Sequence, residues 1–526
     1  MTVKEVVEQE TPPGEDSGVA SAFDSPAWNT AVGLGGGAGG RLTGSAGTNR
    51  PKHNTASYAH QPDNQFLAVQ DAPLSTFSAD VDTASYANLR RFLNEGKLPP
   101  AGAVRIEEML NYFRYAYPEA TGDAPFSVTT ELGACPWNPE HRLALIGLRG
   151  KEITERTLPA RNLTFLLDVS GSMRPQNRLP LVQNAMKLLA RQMRTQDHIA
   201  IVTYAGASGL ALPSTSGADQ GRILAAIDEL HAGGSTNGAS GIKLAYQVAM
   251  EHFTKEGINR VILATDGDFN VGTTSESELV TLIEEQKKSG VFLTLLGVGD
   301  DNLKDSTMKK LADHGNGQYC YLDSIHEANK VLVREAGATL VTIAKDVKLQ
   351  VEFNPARVQS YRLLGYESRV LAARDFNDDQ KDAGEIGAGH TVTALYELVR
   401  VGAKDAAGSV DPLKYQQHEP LAAAASDELL TLKLRYKEPD GDSSKLLTTI
   451  VKDLASAGDN LRFASALAEF GMLLTNSEHK GQASYAQLAE ILREVKDDAH
   501  GDRAELKTLV ARACELSADK RPAGTR

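Results

Sequence analysis

Three cysteines in 526 residues, Cys135, Cys320 and Cys514, are too few, too widely spaced and odd in number for a disulfide framework or a CxxC metal knuckle. They read as small buried side chains. Positive charge is also short. Lys and Arg number 55 against 68 Asp and Glu, a formal net charge of −13, which removes the electrostatic footprint that nucleic acid requires. Such a surface suits solubility and the attraction of cations. No apolar run approaches the ~18 residues needed to span a bilayer, and the opening stretch MTVKEVVEQETPPGEDSG is acidic and lacks the apolar core of a signal peptide. The chain as written therefore reads as soluble and untargeted, which suits a cytoplasmic protein or one whose signal or anchor lay upstream. Enzyme templates are missing too. There is no HExxH pair, no GxSxG elbow and no Walker loop, and His198, His231, His314 and His390 are scattered.

The length implies more than one folded unit. Residues 1–65 are rich in Gly, Ser, Asn and Pro, include the run Gly35–Gly40, and read as a disordered leader or tether. From 66 to 159 the spacing of Tyr86, Leu89, Phe92 and Leu93, repeated by Val104, Met109, Leu110 and Phe113, predicts a helical hairpin. Two strands follow, over 126–132 and 143–148.

Between 160 and 345 short apolar runs alternate with amphipathic ones. Leu163–Leu167, Ile199–Thr203, Val261–Ala264 and Val291–Leu295 have the length and continuity of parallel strands buried on both faces. Helical patterns lie between them, over 179–194, 220–230, 239–253 and 277–289. This is a doubly wound α/β unit with a mostly parallel sheet. Strand patterns return over 346–440, so the economical architecture is a β-sandwich into which the α/β unit is inserted. The segment 441–526 reads as a helical tail, with Leu461, Ala464, Leu467, Phe470 and Leu474 on one face.

In a doubly wound sheet the loops at the carboxyl ends of the strands converge on a crevice. Three such loops here carry oxygen donors. The first reads Asp168-Val169-Ser170-Gly171-Ser172, with Gly171 expected to permit a tight turn. The second, Gly233 to Gly238, places Thr236 just before a helix, where it also suits a helix cap. The third follows the strand ending at Ala264 and carries Asp266, with Asp268 close by. Hard oxygen donors without Cys or His select magnesium, manganese or calcium over zinc. Tyr204, Gly206 and Asn237 fall on the same rim, where structural roles fit them best.

Asp168, Ser170, Ser172, Thr236 and Asp266 together resemble the metal-ion-dependent adhesion site of von Willebrand factor type A domains, a Rossmann-like fold. The resemblance extends over roughly residue 70 to the C-terminus, to a bacterial group often described as calcium-activated chloride channel-like. It is carried by Pro73–Ser78, Cys135–Pro139, Ala264–Gly272 and Asp382–His390. It implies that the Ser170 and Ser172 hydroxyls coordinate Mg2+ (or Mn2+ or Ca2+) directly, that Thr236 does so directly or through water, and that Asp168 and Asp266 act through water. A partner's Asp or Glu carboxylate would complete the shell. The implied protein is a non-enzymatic, cation-dependent binding protein, extracytoplasmic or at the cell surface. The alternative role for such a domain is an accessory subunit docking an AAA-type ATPase in an assembly or metal-insertion machine.

Two further patterns are set aside. Asp375, Asn377 and Asp379 alternate as in a calcium loop, yet Gln380 stands where the EF-hand needs glycine and Ile386 where it needs glutamate, so a solvated acidic loop is expected. Cys320, between Tyr319 and Tyr321, reads as strand core.

Overall fold

The computed structural model describes residue 58 and residues 61–519, apart from 80–81, 154–156, 207, 235–237, 268–275, 301–302, 337–339, 404–420 and 440. Most of the leader expected over 1–65 lies outside the described residues, as do Thr236, Asn237 and Asp268.

The α/β sheet has six strands in the order Tyr319–Tyr321, Phe292–Gly297, Ile258–Thr265, Arg161–Asp168, His198–Tyr204, Ser208–Ser216. The first five run parallel and the last is antiparallel. Every residue of the central strand Arg161–Asp168 is buried, which explains its unbroken apolar run. Leu163, Phe165 and Leu167 share a core with Val182, Met186 and Leu189 of the helix Leu179–Ala190. Leu166, pointing the other way, joins Ile242, Tyr246 and Ala249 of the helix Gly238–Glu251. Each buried Val, Leu, Ile, Phe or Met among them contributes ~1.5–3 kcal/mol. Covered faces and parallel pairing require one another, because the crossover helices that make the pairing parallel also form the cover.

This unit leaves a β-sandwich after the strand His141–Gly150 and returns to it at the strand Thr342–Phe353. One sheet of the sandwich has the order Leu67–Ala68, Val358–Leu364, Thr391–Arg400, His141–Gly150, Phe126–Ala134, all antiparallel. The other has Gly384–Gly387, Thr342–Phe353, Glu428–Lys437, Lys445–Lys452, with Leu74–Ser78 also paired to Thr342–Phe353. Ile146, Leu148, Val392 and Tyr396 of the first sheet share a core with Val351, Phe353, Leu432 and Leu434 of the second. The first sheet is covered on its outer face as well. There Leu143, Leu145 and Leu395 meet Phe113 and Leu110 of the helical hairpin and Phe463, Leu467 and Phe470 of the C-terminal helices.

Two buried ionic clusters tie the α/β unit to this frame. The Arg90 guanidinium donates to Asp323 (Nε to Oδ2, 2.6 Å), Glu327 (2.7 Å), the Tyr112 hydroxyl (2.9 Å) and Glu505 (3.1 Å). In the second, Arg105 reaches Asp305 at 2.7 Å, Lys309 reaches Glu108 at 3.0 Å, and Arg369 bridges Asp82 at 3.1 Å and Asp313 at 2.8 Å.

Several expectations change. The stretch read as a helical tail from 441 opens with the strand Lys445–Lys452 before the helices Asp459–Thr475, Tyr485–Glu494 and Asp502–Asp519. At this sheet edge Leu446 and Ile450 point into solvent, which blurs the apolar/polar alternation that marks a strand. Cys135 and Cys320 are buried, but Cys514 is exposed on the last helix. The acidic loop at 375–382 is not merely solvated: the Lys348 ammonium donates to the carbonyls of Asp375 and Asp378.

Candidate functional site

The central strand ends at Asp168, and its carboxylate is fully buried. Oδ1 accepts the Ser170 backbone N–H at 2.9 Å, which curls the chain so that Ser170 and Ser172 lie side by side. Oδ2 accepts from two neighbouring strands, the Tyr204 hydroxyl at 3.3 Å and the Thr265 hydroxyl at 3.2 Å. Burial, reinforced by the nearby Asp266 charge, pushes the Asp168 carboxyl above its ordinary range, against the pull of the bonds from Ser170 and Thr265. Burial and the Asp168 charge likewise hold the Tyr204 phenol well above its ordinary value, so it stays a donor.

The Ser170 and Ser172 hydroxyl oxygens are 3.0 Å apart, with Ser170 buried and Ser172 half-buried at the rim. Ligands at the 2.0–2.1 Å distances preferred by Mg2+ stand ~3 Å apart along an octahedral edge. The pair therefore fits as two adjacent ligands of a small hard cation. Among the described residues no group of three or more His, Cys, Asp or Glu side chains is placed to hold a metal. What this site offers is two hydroxyls and two carboxylates.

The second loop is fastened to the first. Gly233 N–H donates to the Val169 carbonyl at 2.7 Å, and Gly171 N–H donates to the Gly234 carbonyl at 3.1 Å. Gly171 does not adopt a positive φ, and a Cβ there would make only an ordinary 3.5 Å contact with the Gly234 carbonyl. Among the described residues of these two loops the positive φ belongs to Gly234, at 91°. The third loop brings Asp266, also fully buried, at the end of the neighbouring strand, and Gly267 turns the chain away at φ 99°. Asp168, Ser170, Ser172 and Asp266 thus converge, while Thr236 lies outside the described residues.

Two residues, Thr265 and Arg178, escaped the sequence reading, and a third, Tyr204, has the structural role expected of it but in another place. Tyr204 belongs beneath the site and not on its rim, and Thr265 is a hidden support. Arg178, at the N-terminal edge of the helix Leu179–Ala190, is buried and turns back into the site. Its Nη1 donates to the Asp266 carboxylate and, at 2.9 Å, to the Ser172 carbonyl. An arginine beside a helix N-terminus opposes the macrodipole, and that mismatch is the signal a sequence reader could use.

Comparison with known proteins places the domains. Residues 162–333 match the von Willebrand factor type A domain, residues 52–145 match a family described as von Willebrand factor, and residues 338–516 match the family "Uncharacterized protein YfbK, C-terminal". The uncharacterized protein YfbK of Escherichia coli (strain K12) is 46% identical over 467 residues, which is 87% of this chain and 80% of the relative. Calcium-activated chloride channel regulator 1 of Macaca mulatta is 26% identical over 178 residues, 33% of this chain and 17% of that protein. Among solved structures, a von Willebrand factor type A protein from Catenulispora acidiphila covers 87% of this chain and 99% of its own at 13% identity, with a TM-score of 0.38. Among the described residues no helix is long and apolar enough to cross a membrane. With an inserted type A unit, a shared C-terminal region and 46% identity across most of its length, the chain belongs to the YfbK family of von Willebrand factor type A domain proteins.

Proposed function

We propose that this chain is a non-enzymatic, divalent-cation-dependent protein-binding protein whose site captures an acidic residue of a partner. Asp168, Ser170, Ser172, Thr236 and Asp266 would hold Mg2+, with Mn2+ or Ca2+ as substitutes of the same hard character. The observation that carries the reading is the Ser170–Ser172 hydroxyl pair, 3.0 Å apart at the mouth of the site, with the Asp168 carboxylate buried directly behind it.

Neutral hydroxyls leave the ion's charge little diminished. The carboxylates that would diminish it sit deeper, and Asp168 is already engaged by Ser170, Tyr204 and Thr265. A cation held this way seeks an anionic oxygen from outside. Hydrolysis would also need a general base beside the ion. Asp168, the buried carboxylate nearest the hydroxyl pair, is committed to holding the loop.

Isothermal calorimetry with Mg2+ and Mn2+, paired with a pull-down from cell extract with and without chelator, tests the reading. Wild type should bind the ion and retain a partner only when the ion is present, and Asp168→Ala should lose both. Ion binding that is indifferent to Asp168→Ala overturns it.

A further inference from the structure

Arg178 places a permanent positive charge inside a site built for a cation. Guanidinium stays ionised at any ordinary pH. Here it is 3% exposed, with Nη1 shared between the Asp266 carboxylate and the Ser172 carbonyl and Nη2 3.9 Å from Asp300. The fold makes room for it. A Cβ on Gly299, which has φ 80°, would stand 2.6 Å from Arg178 Nε, so the loop after the strand Phe292–Gly297 passes the guanidinium at a distance only glycine allows.

We infer that Arg178 is a specificity-determining residue of this site, a resident counter-cation that makes the metal ion and an anionic partner bind as a cooperative pair. The inference rests on the reading of the site as a divalent-cation site. The two fully buried carboxylates, Asp168 and Asp266, supply two negative charges and Arg178 cancels one, while Asp300, its side chain 44% exposed, is screened by solvent; in the buried part of the site a divalent ion therefore leaves a net charge of +1 and an incoming carboxylate brings it to neutrality. Without Arg178 the ion alone would neutralise the site, and the same carboxylate would leave an excess negative charge in a buried place. Arg178 therefore weakens binding of the ion by itself and strengthens the ternary complex. By linkage, the gain the carboxylate gives the ion equals the gain the ion gives the carboxylate. The guanidinium also ties the Ser172 carbonyl to Asp266, which joins the first loop to the third.

The test is Mn2+ binding by the full chain, followed by calorimetry and by the loss of the free-ion electron paramagnetic resonance signal, with and without acetate as the carboxylate probe. Wild type should bind Mn2+ weakly, and several-fold more tightly with acetate. Arg178→Gln should bind Mn2+ about tenfold more tightly than wild type without acetate and lose the acetate enhancement, whereas Arg178→Lys should stay near wild type. Circular dichroism checks that each variant is folded. Should Arg178→Gln unfold, Gly299→Ala, which displaces the guanidinium and does not remove it, must shift Mn2+ affinity in the same direction. Mn2+ binding that is lost in Asp168→Ala but unchanged or weakened in folded Arg178→Gln overturns the role of Arg178 alone. Mn2+ binding that survives Asp168→Ala overturns the site itself and this inference with it.

Discussion

Gly241 lies against Tyr204 so closely that a Cβ added to it would stand 2.8 Å from the Tyr204 Cβ and 3.1 Å from Leu166 Cδ1. The helix Gly238–Glu251 therefore rests directly on the two strands whose ends carry Asp168 and its partner Tyr204. Helix and strands meet here with no room for a side chain.

Gly241→Ala should accordingly do two things at once. Overpacking at this contact should cost ~1–3 kcal/mol, seen as a lower thermal midpoint. Because the helix begins next to the loop of Thr236, Mn2+ affinity should fall as well, by about threefold or more. A variant that loses stability with Mn2+ affinity unchanged would uncouple the helix from the site.

Arg90→Met removes the shared cation of a buried cluster and leaves Asp323 and Glu327 facing each other without it. Breaking a buried ion pair from one side costs ~3–5 kcal/mol. Urea unfolding should show that loss. It should also separate the transition of the α/β unit from that of the sandwich and helices, since Arg90 bonds to residues of both.

Asp197 accepts from the Arg161 and Arg194 backbone N–H groups at 3.0 and 2.8 Å and from both guanidinium groups, at 2.7 Å from Arg161 and 2.8 Å from Arg194. Burial acts to raise its carboxyl, but these bonds outweigh burial and hold it well below the usual carboxylate range. A depressed carboxyl contributes stability above its unfolded value of ~3.9 and loses it as pH falls through the folded value. Asp197→Asn should thus be ~2 kcal/mol less stable at pH 7, with the gap closing below pH ~4 in a series of unfolding curves.

Glu469 behaves oppositely. It is fully buried, with one oxygen accepting from Ser484 N–H at 3.1 Å, and burial lifts its carboxyl to about 7. Folding then favours the protonated form, so stability is present near pH 4 to 5 and declines as pH rises towards the folded value. Glu469→Gln keeps the acceptor for Ser484 and should flatten that decline, gaining ~1 kcal/mol at pH 8. An unchanged pH profile would show that Glu469 is not the group responsible.

Much of this molecule was legible in its residues, and the legible parts share a cause. The parallel strands announce themselves because both faces are buried, so Leu163–Leu167 carries no polar interruption beyond Thr164. The Asp168-Val169-Ser170-Gly171-Ser172 segment is readable because its hydrogen bonds join residues only two apart in sequence. The strands at 208–216 and 445–452 were missed because each is an edge strand, where one side of the ladder and one face are open to solvent and selection on hydrophobicity is relaxed. Arg178, the buried position of Tyr204, and Thr265 were missed for another reason. Their roles come from tertiary approach across 88, 36 and 97 residues of chain, and local pattern marks only Arg178, by its place beside a helix N-terminus, without naming its partner.

The two ionic clusters have a mechanical meaning. The α/β unit is joined to its frame by two chain crossings, near Gly150 and Thr342, and is further pinned through Arg90 at one place and through Arg105, Lys309 and Arg369 at another. Among the described residues the unit is thus held to its frame at four separate places. Turning the α/β unit against the sandwich and helices would therefore mean breaking buried ion pairs as well as bending the two chain crossings.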